Sequence, residues 1–332
     1  MAEMTPLRAA AFAAMAALGL SSSPAVAQDT RRVDGLWTQA APLPEARTEL
    51  SAATDGRLIY VVGGFGETRG GARAAPRTLF AYDPASNRWR MIGDIPGGVN
   101  HAGLAVAGGS LYIVGGYREA TFEPTAAVHA YDLASGRWRP AAPLPTARGA
   151  LAVAVHDGKI HAIGGTASSR RSVATHEIYD PAADTWREAT PMPTARNHHA
   201  AAAIDGRLFV VGGREGGDFE LRVHEVYDPT SGRWSRAAPL PTGRSGIAAA
   251  VLDGRMFVFG GETFSGGQRT FADAERYDPA RDRWEILPPM PTARHGLGAA
   301  TVEGAIYVVG GGPLPGLTYS VANERLAPAA AR

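Results

Sequence analysis

The sequence predicts an all-β fold, a six-bladed β-propeller whose last blade is closed by the N-terminal strand. Three observations carry this. Glycine pairs recur at Gly63-Gly64, Gly115-Gly116, Gly164-Gly165, Gly212-Gly213, Gly260-Gly261 and Gly310-Gly311. Six tryptophans, Trp37, Trp89, Trp138, Trp186, Trp234 and Trp284, recur at the same intervals of 48 to 52 residues, in the same order. Two independent markers with one period signal a repeat architecture. The third observation is that the markers are out of step. Trp37 has no glycine pair before it, and Gly310-Gly311 has no tryptophan after it.

Each unit reads as four antiparallel strands, a to d. Strand a is a run of small residues such as HHAAAAI (198–204), followed by the turn Asp205-Gly206. Strand b is a short apolar run, RLFVVGG (207–213). After a variable polar loop, strand c is HEVYDP (224–229), and a turn at Ser231-Gly232 leads to strand d, RWSRAAPLP (233–241). Short β-rich runs bounded by Asp-Gly and Asp-Pro turns have this reading. In RLIYVVGG (57–64) both faces of the strand are apolar, so neighbouring sheets must cover it on both sides. Alanine and glycine fit strands crowded around a narrow channel, and each tryptophan offers a large apolar surface for packing between blades. The expected blades span 48–92, 100–141, 149–189, 197–237, 245–287, and 295–326 together with 36–41. The segment LWTQAAPLP (36–44) therefore supplies strand d of the last blade, beside a strand c at about 320–326. This joins both ends of the chain in one sheet and covers an otherwise open edge.

Composition narrows the function. The 332 residues are 45% hydrophobic and carry a net charge of +1, without any basic run longer than Arg31-Arg32 or Arg170-Arg171. The footprint of a nucleic-acid binder is absent. Arg8, the apolar run 9–20 and Ala25-x-Ala27 read as a signal peptide, residues 1–27. That run is too short for a membrane span, which needs about 20 apolar residues. The expectation is an exported monomer, periplasmic or extracellular, with 28–332 as a single propeller domain. There is no cysteine, which removes disulfides, thiolate nucleophiles and thiolate metal ligands. Adjacent His198 and His199 point to opposite faces of a strand and cannot chelate together. No metal site and no cofactor are expected.

Strand direction assigns loops to faces. The entries to strand a share a face with the b–c loops, which are long and differ in sequence, whereas the a–b and c–d turns opposite are short and uniform. Binding residues favour variable loops on a rigid frame. The third residue after the second proline of each strand-d tail (in blade two, after Pro96) is Arg47, Val99, Arg148, Arg196, Arg244 or Arg294. Just beyond lie Glu49, Asn100, His101, Asn197, His198 and His295, and after the glycine pairs come Tyr117, Arg118, Arg214, Glu215 and Glu262. Two readings of the five arginines stay open. They form a cationic pocket for an acidic ligand, since arginine presents a fork of donors matched to carboxylates. Alternatively they pair with Glu177, Glu225, Glu275 and Glu324, which start strand c on the same face, as an architectural motif. The ligand-binding candidates are Arg47, Arg148, Arg196, Arg244 and Arg294, with the irregular positions His101, His198, Arg214, Glu262 and Tyr117.

The Gly-Gly, Tyr-Asp and Trp markers at a period near 50 resemble kelch repeats over about residues 36–326. Departures are mild: Tyr131-Asp132-Leu133 replaces Tyr-Asp-Pro, and Leu326 stands where tyrosine is expected. The resemblance implies a module that binds a protein, glycan or small acidic ligand. More distantly the chain is similar to the N-acetylneuraminate epimerase group, which implies a mutarotase acting on an acidic sugar as the alternative. The copper and Tyr-Cys cross-link of proteins resembling galactose oxidase cannot form without cysteine.

Overall fold

The computed structural model describes residues 35–68 and 71–328. Among them six four-stranded antiparallel sheets follow one another around a ring. Blade four shows the pattern, with strands Ala200–Ile204, Arg207–Val211, His224–Asp228 and Arg233–Arg236. Strand b is buried on both faces in each blade, as in Ile59–Val62 and Ala305–Val309. Strand a of each blade packs against strand a of the next, so alanines and glycines line the channel. Gly103, for example, faces Val153 of the following blade.

The ring closes as the out-of-step markers require. Strand Gly35–Gln39 pairs antiparallel with Asn323–Pro328, placing Trp37 opposite Leu326. The last strand c, Asn323–Pro328, runs two residues past the end expected at 326. Ala327 lies opposite Leu36 and Pro328 opposite Gly35. The signal peptide expected at 1–27 lies outside the described residues. No helix of the described residues is long and apolar enough to cross a membrane.

The glycine pairs hold blade to blade. The second glycine of each pair donates its N–H to the backbone carbonyl at the strand-a entry of the next blade. These bonds run from Gly64 to Val99, Gly116 to Arg148, Gly165 to Arg196, Gly213 to Arg244, Gly261 to Arg294 and Gly311 to Arg47, at 2.8–3.0 Å. The last of them joins blade six to blade one. A Cβ on Gly115 or Gly164 would lie 2.7 Å from the same carbonyl, and both glycines have left-handed φ near +60°. Close approach and backbone conformation together require glycine there. On the outer side, the indole N–H of Trp37, Trp89, Trp186, Trp234 and Trp284 each donates to a carbonyl of the preceding blade, at 2.8–2.9 Å.

Candidate functional site

On the face of the b–c loops, the residues after each glycine pair bridge back to the strand-a entry. Val99–Asn100 pairs with Tyr117–Arg118, and Arg148–Gly149 with Thr166–Ala167. Isolated bridges do the same at Thr48 and Phe65, Asn197 and Arg214, Ser245 and Glu262, and His295 and Gly312. These bridges fix the side chains around the channel mouth.

The five arginines do not line that mouth. All are fully buried within the blades, with their donors turned to the protein itself. Arg196 donates to Glu225 Oε2 at 2.5 Å, Arg244 to Glu275 at 2.6 Å and Arg294 to Glu324 at 2.6 Å; Arg148 pairs likewise with Glu177. Each also donates to strand-b or glycine-pair carbonyls, for example Arg148 to Ala162 and Gly164. In blade one Phe80 stands where the glutamate would be. Arg47 stacks on that ring at 5.1 Å and donates instead to Glu45 and Thr78. The expectation that Arg47, Arg148, Arg196, Arg244 and Arg294 contact a ligand is therefore corrected. They hold each strand-a entry to its own blade. Arg196→Ala should cost about 3–5 kcal/mol in chemical denaturation, because it strands a buried carboxylate. A loss below about 1 kcal/mol would remove the architectural role.

Blade two breaks the pattern. Val99 and His129 take the places of arginine and glutamate, and the space opens as a cavity of about 290 Å³ lined also by Ile113, Gly115, Arg118 and Glu119. Trp138 of the same blade is the tryptophan whose indole N–H is buried without an acceptor.

The irregular candidates do converge. The position two residues after each entry has left-handed backbone in all six blades, occupied by Glu49, His101, Ala150, His198, Gly246 and Gly296, with φ between +51° and +67°. Their backbones form an inner ring: His101 donates to Glu49, Ala150 to His101, His198 to Ala150, Gly246 to His198 and Gly296 to Gly246, at 2.9–3.1 Å. Glycine is the unstrained occupant, as in blades five and six. A glutamate and two histidines held there store strain of about 1 kcal/mol or more each, a pattern found at functional sites.

Hydrogen bonds orient the rings of three channel histidines. The amide of Asn100 donates to the Glu119 and Thr121 carbonyls, so its Oδ1 accepts from His101 Nδ1 at 2.6 Å. Arg214, which can only donate, bonds both Asn197 Oδ1 and His198 Nε2. His198 Nδ1 therefore carries the proton and donates to Asn197 Oδ1. His295 Nδ1 donates to the Gly312 carbonyl at 3.1 Å. His101 and His198 present a bare Nε2 to the channel. Burial and the nearby Arg214 charge hold His101 and His198 well below the usual imidazole range.

Between them sits Glu49. His101 Nε2 lies 3.2 Å from its Oε2, and His295 Nε2 lies 3.6 Å from its Oε1 and 3.5 Å from Glu262 Oε2. Burial first, and the Glu262 carboxylate with it, push Glu49 up to about 7 against the opposing pull of His295 and Arg214. Glu49 with His101 and His198, and Glu49 with Glu262 and His295, are two sets whose ligand atoms all lie within 4.8 Å of one another. The sequence reading expected no metal site because it compared neighbours in sequence, whereas these residues arrive from different blades. Of its other candidates, Arg214 reaches Glu262 at 3.2 Å. Tyr117 is buried with its ring 5.3 Å from His101.

Around the mouth stand aromatic residues with arginines over them. Phe65 and Phe122 meet at 5.6 Å with Arg73 above both, and Phe219 meets Phe264 at 5.1 Å with Arg214 above Phe219.

The model of the KLHDC2/KLHL20/DRC7 Kelch-repeats domain matches the chain over residues 29–192 and 141–311. Among curated proteins, Kelch-like protein 35 of Mus musculus is 34% identical over 92 residues, 28% of this chain and 14% of that protein. Kelch-like protein 25 of Homo sapiens is 33% identical over 84 residues, 24% of this chain and 14% of its own length. Kelch-like protein terF of Aspergillus terreus is 29% identical over 115 residues, 31% of this chain and 23% of that protein. The matches thus span less than a quarter of each of these relatives.

Proposed function

The chain belongs to the kelch-repeat family, and from that premise we propose that it is an exported, monomeric binding module that engages a protein partner through the face of the b–c loops. One observation carries this reading. Of the six large hydrophobic residues exposed among the described residues, Phe122, Leu314, Leu317 and Val321 lie on b–c loops of that face. Phe122 and Leu314 are 54% and 63% exposed. Grouped apolar exposure beside aromatic and arginine side chains is the composition of interface anchors. The apolar run 9–20 and Ala25-x-Ala27 support export. Peptides selected from a display library on the whole protein should lose binding to Phe122→Asp and Leu314→Asp by tenfold or more. They should keep it to Met91→Asp, on an outer strand. Peptides indifferent to Phe122 and Leu314 would sink the proposal.

A second reading, a mutarotase for an acidic sugar, is favoured by Glu49. A carboxyl group poised near neutral pH among neutral imidazoles can exchange protons with a sugar ring. Stabilisation by N-acetylneuraminate in a thermal-shift assay, followed by faster anomer exchange in NMR spectra, is its test. No shift at millimolar sugar would dismiss it.

A further inference from the structure

We propose that the channel mouth is a divalent transition-metal site built on Glu49, Glu262 and His295, whose ligand atoms all lie within 4.8 Å of one another. The geometry is the first support. Ligand atoms around a tetrahedral ion with bonds of about 2.0–2.1 Å stand about 3.4 Å apart. His295 Nε2 stands 3.5 Å from Glu262 Oε2 and 3.6 Å from Glu49 Oε1.

The second support is the direction of the protons. Metal-binding imidazoles donate their other ring N–H to a fixed acceptor, which sets the tautomer. His295 does so to the Gly312 carbonyl. Its Nε2 is turned between the Glu49 and Glu262 carboxylates and is buried without a hydrogen-bond partner. A lone pair against a carboxylate is repulsive until a proton or a cation lies between them. Glu262 is oriented too, by the Gly316 N–H on Oε2 at 3.0 Å and by Arg214 on Oε1.

The backbone is the third, independent support. Glu49 and His101 occupy left-handed positions that glycine fills in blades five and six. Their side chains are kept there against a conformational cost.

The donor set selects the metal. An imidazole nitrogen beside two carboxylates suits zinc and its first-row neighbours, whereas calcium and magnesium take oxygen ligands. Arg214 occupies His198 Nε2, which removes His198 from the set while leaving it beside the ion. Metal binding is read without any partner, so this proposal stands or falls separately from the partner-binding face.

The test is titration of the whole protein, stripped with a chelator, with Zn²⁺ by calorimetry and with Co²⁺ by visible absorption. One saturable site with tetrahedral Co²⁺ bands is expected. Glu49→Gly and His295→Ala should weaken it at least 100-fold. Glu49→Gly places at blade one the residue that blades five and six already use, so its cooperative melt should persist and show that lost binding is not lost folding. Absence of a saturable Co²⁺ spectrum, or unchanged affinity in Glu49→Gly and His295→Ala, overturns the proposal.

Discussion

Removing residues 35–41 should abolish the cooperative melt of the protein. The five-residue ladder between Gly35–Gln39 and Asn323–Pro328 is then lost, exposing the full length of the last strand c. Blade six also loses its hold on blade five. The Trp37 indole N–H donates to the Pro288 carbonyl at 2.9 Å, and its ring meets Phe259 edge-on at 5.8 Å. Trp37→Ala alone should cost about 3 kcal/mol. Deleting the strand forfeits that and the ladder together, a loss comparable to the roughly 5–15 kcal/mol that holds an average domain folded. Calorimetry of the truncated chain is the measurement. A single sharp transition near the intact protein's would show that the ring stands without its closing strand.

The second large effect is acid unfolding. His161, His176 and His224 are buried in the blades away from the channel. His161 Nδ1 donates to His176 Nε2 at 2.9 Å, His176 Nδ1 to the Thr190 carbonyl, and His224 Nδ1 to the Ala238 carbonyl. Burial lowers them to about 3, 4 and 4. For His161 the positive charge that His176 would carry adds to burial, whereas carbonyl acceptors oppose the shift in the other two. Because each folded value lies below the unfolded one of about 6.5, their contribution is complete above pH 6.5. It drains away as pH falls towards the folded values. At pH 5 the unfolded chain gains about 2 kcal/mol per histidine, or about 6 kcal/mol for the three. The protein should therefore unfold between about pH 4 and 5. His224→Phe should move that midpoint downward. Equal melting temperatures at pH 7.5 and pH 5 would contradict the assignment.

Much of the fold was legible because its markers are backbone requirements repeated six times. A glycine pair is visible wherever the next blade's carbonyl comes within bonding distance, and the unmatched Trp37 revealed where the ring closes. The site was only half legible. His101, His198, Arg214 and Glu262 were found as irregular positions, and Glu49 and His295 were noticed beside them without being chosen. Aligning the repeats two residues past the arginines would have shown Glu49 and His101 in register with Gly246 and Gly296. The arginines stayed open between two readings because spacing gives a residue's height along the blade and not the direction of its side chain. The glutamates that begin strand c were the signal that those side chains turn inward. Blade two, with Val99 and His129, shows what the pair otherwise fills.

The ring of six glycine-pair bonds gives the channel a set aperture. Each strand-a entry is gripped by the blade before it, and the grip from Gly311 on Arg47 returns to the start. No single blade can step back without pulling its neighbours, so the mouth cannot widen for an oversized guest. A larger ion seeking six to eight oxygens at 2.3–2.6 Å meets a frame that does not yield. Selection by size at the proposed metal site thus rests on glycines that lie outside its ligand set.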